Sequence, residues 1–151
     1  MLKPLQSFLD GHKIHYETTR LNPQWNTQRI AQTMHVPEKG IAKTVLVKID
    51  GKLAMLVEPT TVQTNLERWK EHIGCNEITL ATDGEIREMF KESDKTAIPA
   101  FGNLFNLDVY LDETLGVGKE IALNTGTRSE LIKLNYRDFV KWVKPKLFHI
   151  H

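Results

Sequence analysis

One cysteine, Cys75, is all the sulfur chemistry the sequence offers apart from methionine, so no internal disulfide can form. A lone thiol fits a reducing cytoplasm, and it reads as a small apolar residue rather than a nucleophile. There is no long apolar run at the start and none anywhere that could span a bilayer. Excess charge of one sign is missing too. Twenty Lys and Arg stand against nineteen Asp and Glu, a formal net charge of +1. That balance removes any general drive toward nucleic acid or a membrane surface, so an RNA partner would need a local patch. Glycine-rich dinucleotide and phosphate loops are lacking, as are CxxC and HExxH spacings. No Ser, His or Asp stands in a recognisable nucleophile context. His149 and His151, near the end, are weak evidence of a metal site. No repeat or low-complexity tract occurs.

What is present is an ordinary globular composition, 40% hydrophobic and 26% charged over 151 residues, enough for one domain with a real core. Its organising stretch runs from Lys43 to Glu58. Two apolar segments flank Asp50-Gly51, a pair that accepts the positive φ angles of a tight hairpin turn. Alternation puts Lys43 on the same strand face as Val45, Val47 and Ile49. Two readings of that lysine stand. Its ammonium snorkels to solvent at the strand end, the usual fate of lysine. Or it is a cation at the rim of a pocket, where low dielectric strengthens its pull on a substrate oxygen.

Around the hairpin the spacing predicts a helix over 3–11 with Leu5, Phe8 and Leu9 on one face, then a strand over 14–19. Asn22-Pro23 breaks the chain, and Asn26 or Thr27 caps a helix that buries Ile30, Ala31 and Met34. His35 follows its last turn, where a cation suits the helix dipole. Thr64 with Glu67 has capping-box spacing ahead of Leu66, Trp69 and Ile73, and Thr82 with Glu85 repeats it ahead of Ile86, Met89 and Phe90. A short strand covers 78–81. Residues 91–106 lack periodicity, and a loop of that length is functional or mobile in most compact domains. Strands follow over 107–112, 120–124 and 129–134. The turn Asn124-Thr125-Gly126-Thr127-Arg128 reads as a decorated hairpin turn or as a small nest of backbone amides for an anion. Asn135 caps a last helix with Phe139, Val140, Trp142 and Val143, and 145–151 reads as a frayed tail. Short strands joined partly by hairpins predict an α+β single domain with a central mixed, largely antiparallel, barrel-like sheet flanked by helices.

Three segments in this order resemble the YbaK/prolyl-tRNA synthetase-associated domain family. They are Ala42-Lys43-Thr44-Val45-Leu46-Val47, then Ala97-Ile98-Pro99-Ala100-Phe101-Gly102 with the strand after it, then Ile121-Ala122-Leu123-Asn124-Thr125-Gly126 with Glu130-Leu131-Ile132-Lys133-Leu134. The likeness covers nearly the whole chain. It implies a free-standing, metal-independent and cofactor-free deacylase that hydrolyses the ester joining a wrong amino acid to tRNA. It places the essential lysine at Lys43, with Thr44 beside it. Substrate is held by Pro99, Ala100, Phe101 and Gly102 on one wall and by Asn124, Gly126 and Thr127 on the other. The implied partners are the 3′ end of an aminoacyl-tRNA and an aminoacyl-tRNA synthetase, with neither DNA nor a membrane. A cavity is therefore expected between Lys43, the 99–102 loop and the 124–127 turn. The alternative is an editing-like module that has lost catalysis and binds tRNA ends or regulates.

Overall fold

The computed structural model describes residues 1–151. Its eight strands are β1 (Tyr16–Arg20), β2 (Ala42–Ile49), β3 (Lys52–Pro59), β4 (Ile78–Leu80), β5 (Asp108–Asp112), β6 (Glu120–Asn124), β7 (Glu130–Asn135) and β8 (Lys146–Phe148). They form a three-stranded sheet of order β1-β7-β6 and a five-stranded sheet of order β4-β2-β3-β5-β8. The smaller sheet is antiparallel throughout. The larger is mixed, since β5 runs parallel to both β3 and β8. A parallel bridge between Ile41 and Ala122 joins the two sheets. The expected central mixed sheet is thus two sheets meeting at one seam, and the α+β class holds.

Five helices cover them: α1 (Lys3–Gly11), α2 (Thr27–Met34), α3 (Leu66–Ile73), α4 (Asp83–Met89) and α5 (Tyr136–Val143). Strand alternation distributes the apolar residues among three clusters. In the main core, Leu46, Met55 and Val57 meet Ile121, Leu123 and Ile132 under α1 and α5. Behind the larger sheet, Trp69 of α3 packs on Val47 and Leu56. Behind the smaller sheet, Ala31 and Met34 of α2 pack on Ala122 and Leu131. Each fully buried Leu, Ile or Phe contributes roughly 1.5–3 kcal/mol of transfer free energy, and these three clusters hold the layers together.

Local chemistry sets the element ends. Asp50 and Gly51 turn the β2–β3 hairpin with φ of 50° and 84°, the left-handed pair that matches strand twist. The Asp50 carboxylate also accepts the backbone N–H groups of Asn76 and Glu77, which leads the chain into β4. Asn26 and Asn135 cap α2 and α5, and Thr82 with Glu85 closes a full capping box on α4. The cap of α3 is Asn65 rather than Thr64. The Thr64 hydroxyl is drawn instead to the Glu58 carboxylate, since a buried charge outcompetes a backbone amide at an exposed helix end.

The tail is not frayed. Residues 146–148 add β8 beside β5, Ile150 is fully buried, and His151 Nδ1 lies 2.6 Å from Asp112 Oδ2. Without β8, β5 would present an open edge. Phe148 stacks on Tyr110 with ring centres 5.9 Å apart.

Candidate functional site

Lys43 is the second residue of β2, and the hairpin register sets it opposite Glu58. Its Nζ donates to the Val62 carbonyl at 2.6 Å and lies 3.5 Å from Glu58 Oε2. The lysine side chain is 31% exposed, while that of Glu58 is wholly buried. Glu58 is also held by the Thr64 hydroxyl and by Trp69 Nε1, the latter at 3.1 Å. So the ammonium is neither free in solvent nor lost in the core. It is pinned at a strand end against a buried counter-charge, whose own hydrogen bonds offset its desolvation. A two-residue turn at Asp50-Gly51 dictates this pairing, so Glu58 was readable from the sequence, although composition alone gives no sign of its burial.

Lys43 and Asn124 lie two residues past the Ile41–Ala122 bridge on their strands. By alternation Lys43 shares the face of Val45 and Val47, where α3 brings Trp69 to Glu58, while Asn124 shares the face of Ala122, the side covered by α2. On that side, beyond the end of β6, a hollow of about 750 Å³ opens. One wall is the 21–25 segment with Ile30 of α2. The other is the 126–129 turn, and Asp94 closes the space between them. Gly126 and Thr127 line the hollow. Trp25, Asp94 and Arg128 line it as well. Of these, only Arg128 carried a sequence signal, as a guanidinium in a polar turn. Trp25 and Asp94 are brought to the site by tertiary contacts alone.

The remaining residues sit elsewhere. Pro99, Ala100, Phe101 and Gly102 are all buried. Phe101 packs edge-on against Phe8 and Phe139, with ring centres 6.0 and 5.4 Å away. A Cβ on Gly102 would fall 2.5 Å from Val109 Cγ2 and 2.6 Å from the Leu107 carbonyl oxygen, so close packing requires glycine there. The part of the long loop that reaches the hollow is its beginning. Asp94 N–H donates to the Gly126 carbonyl, and Gly126 N–H donates to the Ala97 carbonyl. These two bonds clamp the loop to the turn, with Gly126 at a φ of 95°. Thr44, like Ala42 and Leu46, belongs to the main-core face of β2 and is half-buried. The hollow lies between the 126–129 turn and the 21–25 segment, and neither Lys43, Asn124 nor the 99–102 loop lines it, so it is not the cavity expected between those three.

Charge at the mouth of the hollow is paired. Arg128 Nε lies 3.0 Å from Asp94 Oδ2. The Thr96 hydroxyl and then the Thr96 N–H, both bonded to Asp94 Oδ1, hold the carboxyl below its ordinary range, with Arg128 adding to the effect. Behind the turn, Thr125 is fully buried and donates its hydroxyl to Glu130. Burial pushes the Glu130 carboxyl up. Hydrogen bonds from the amino terminus and Thr125 outweigh that and hold it below the usual value. No group of three or more His, Cys, Asp or Glu is placed to hold a metal ion, and no helix is long and apolar enough to cross a membrane.

Comparison with known proteins identifies the fold and the family. The chain is similar over its full length to a crystal structure of a proposed trans-editing enzyme for prolyl tRNA synthetase. Identity is 18%, coverage is 97% of this chain and 93% of that one, and the TM-score is 0.81. A scaffold protein used for computational epitope grafting shows 15% identity, covers 98% and 94% of the two chains, and has a TM-score of 0.81. A protein from Marinobacter aquaeolei VT8, provisionally described as a signal transduction protein, is 15% identical. There 99% of this chain corresponds to 30% of that one, with a TM-score of 0.73. At such identities these likenesses speak for the fold. No curated protein matches the sequence. The family profile for the aminoacyl-tRNA editing domain matches residues 23–142, a span that includes Lys43 and most of the hollow. The chain belongs to the aminoacyl-tRNA editing domain family.

Proposed function

We propose that the protein is an aminoacyl-tRNA deacylase, which hydrolyses the ester of a mischarged tRNA. The observation that carries this reading is Lys43, a part-exposed ammonium held by the Val62 carbonyl and Glu58 at the end of the strand that adjoins β6. An aminoacyl ester is already activated, so holding its end and orienting one water suffices for a useful rate. Lys43 holds the substrate end and steadies the charge that develops on the carbonyl oxygen. The backbone N–H groups of Thr127, Arg128 and Ser129, which have no backbone acceptor, orient the water. The buried run from Pro99 to Gly102 gives the turn a rigid backing through the Ala97–Gly126 bond. The partners on this reading are the 3′ end of an aminoacyl-tRNA and a synthetase that charges it.

The test is a deacylation screen of alanyl-, cysteinyl-, seryl- and threonyl-tRNAs with the wild type and Lys43→Ala. Turnover of at least one substrate by the wild type, lost in the variant, supports the reading. Absence of turnover on all four overturns it. One observation favours a second reading. The Lys43 ammonium is already engaged and does not line the hollow, which suits a module that binds acylated RNA ends without cleaving them. Tight binding of the same four tRNAs with no hydrolysis would establish that role.

A further inference from the structure

We infer that the hollow receives the terminal nucleoside of the acylated RNA and that Trp25 is the platform on which its base stacks; this rests on the reading above. Its volume, about 750 Å³, lies well inside the roughly 300–1,000 Å³ of sites that enclose a drug-sized molecule. A small amino-acid side chain would leave most of it empty, which leaves room for a nucleoside as well. The two walls differ in kind. Leu21, Pro23, Trp25 and Ile30 give one side an apolar surface with a single large ring. Trp25 is half-buried and lines the hollow, outside the three apolar clusters of the core. The Arg29 guanidinium lies 5.6 Å from the ring centre, a cation–π contact on one face of the indole. The opposite wall is polar backbone, with the free amides of the 127–129 turn and the Arg128–Asp94 pair.

A nucleoside has the same two sides. Its base offers a π-face, which stacks on an aromatic side chain without regard to base identity. Its ribose, ester and phosphate are polar. With the base on Trp25, the sugar and ester turn toward the amides, and Arg128 meets the linking phosphate. The Asp94 carboxylate does not oppose that phosphate unshielded, because its oxygens are taken up by Thr96 and Arg128.

The experiment measures binding and not turnover. The probe is the trinucleotide cytidine-cytidine-adenosine carrying an amide-linked alanine on its last ribose, compared with the same molecule lacking the last base. The wild type is expected to bind the complete probe roughly 5- to 150-fold more tightly than the abasic one. Trp25→Ala should remove that preference and Trp25→Phe should keep most of it. Equal affinity for the two probes, no binding of either, or a base preference that survives in Trp25→Ala overturns the inference. Base-dependent binding without hydrolysis of any charged tRNA would sink the deacylase reading and leave this one standing. Hydrolysis with no base preference would do the reverse.

Discussion

Lys43 and Glu58 are bound into one network, so their substitutions have coupled effects. Lys43→Ala removes the only cation beside Glu58 Oε2, yet Thr64 and Trp69 still hold that carboxylate. Breaking a fully buried pair costs about 3–5 kcal/mol, but this lysine is partly exposed, so a loss of about 1–2 kcal/mol is expected in urea unfolding. The effect on deacylation should be larger, about 10²- to 10³-fold in kcat if Lys43 steadies the oxyanion. A Lys43→Ala/Glu58→Gln double variant separates the two roles. Stability should recover, because no buried charge is stranded, while activity stays low. Recovery of both would show that Lys43 is structural. Gly102 is the opposite case, a residue whose substitution acts on stability alone. Gly102→Ala drives a methyl into Val109 and the Leu107 carbonyl, and overpacking of this kind costs about 1–3 kcal/mol. A midpoint shift in urea with kcat per folded molecule unchanged is the expected result.

Elements divide into those that their own residues specify and those that need a neighbour. The β2–β3 hairpin and the capped helix α4 belong to the first kind. Thr82→Ala should cost about 1 kcal/mol, because it opens the capping box. The final strand belongs to the second kind. β8 spans only Lys146–Phe148, too short to persist unless β5 pairs with it. Past it, Ile150 reaches the cluster around Trp69 and Tyr110. Ile150→Ala should therefore cost about 2–5 kcal/mol, an effect no frayed tail would show. Hydrogen exchange across β5 would report it directly, since loss of the docked tail exposes that strand's edge amides.

At the scale of the whole molecule, a near-zero net charge conceals local pairing that responds to acid. Glu85 is held below its ordinary value by the Thr82 N–H, Lys48 and the Thr82 hydroxyl. Asp94 is lowered by Thr96 and Arg128, and Glu130 by the amino terminus and Thr125 against the upward push of burial. A carboxyl whose folded pKa is depressed adds stability above its unfolded pKa, and that stability is lost as pH falls through the folded value. The ordinary values are 4.5 for Glu and 3.8 for Asp. The melting temperature should therefore hold steady from neutrality down to that range and then fall progressively below it. Asp94→Asn should flatten part of the decline, and a decline that begins well above the carboxylate range would contradict this account. Because Asp94 and Glu130 both flank the 126–129 turn, the same acid range should loosen the hollow.

Local information in the chain was enough to determine the hairpin, three of the capped helices, the burial of Trp69 and the existence of every strand but the last. Each depends on periodicity, turn geometry or a side chain bonding to its own neighbours, interactions that span a few residues. Lys43 and the Asn124–Thr127 region stood out for the same reason, as polar groups where an apolar pattern ends. Contacts between distant segments decided the rest. Whether Thr64 or Asn65 caps α3 depended on Glu58, a partner on another strand. Whether the tail frays depended on an edge that β5 leaves open. The far wall of the hollow depended on where α2 docks on the smaller sheet, which puts Trp25 opposite Arg128 across about a hundred residues of sequence. Such a pairing has no local energy to announce it. It exists only because burying Ala31 and Met34 against Ala122 and Leu131 is more favourable than leaving both faces in water.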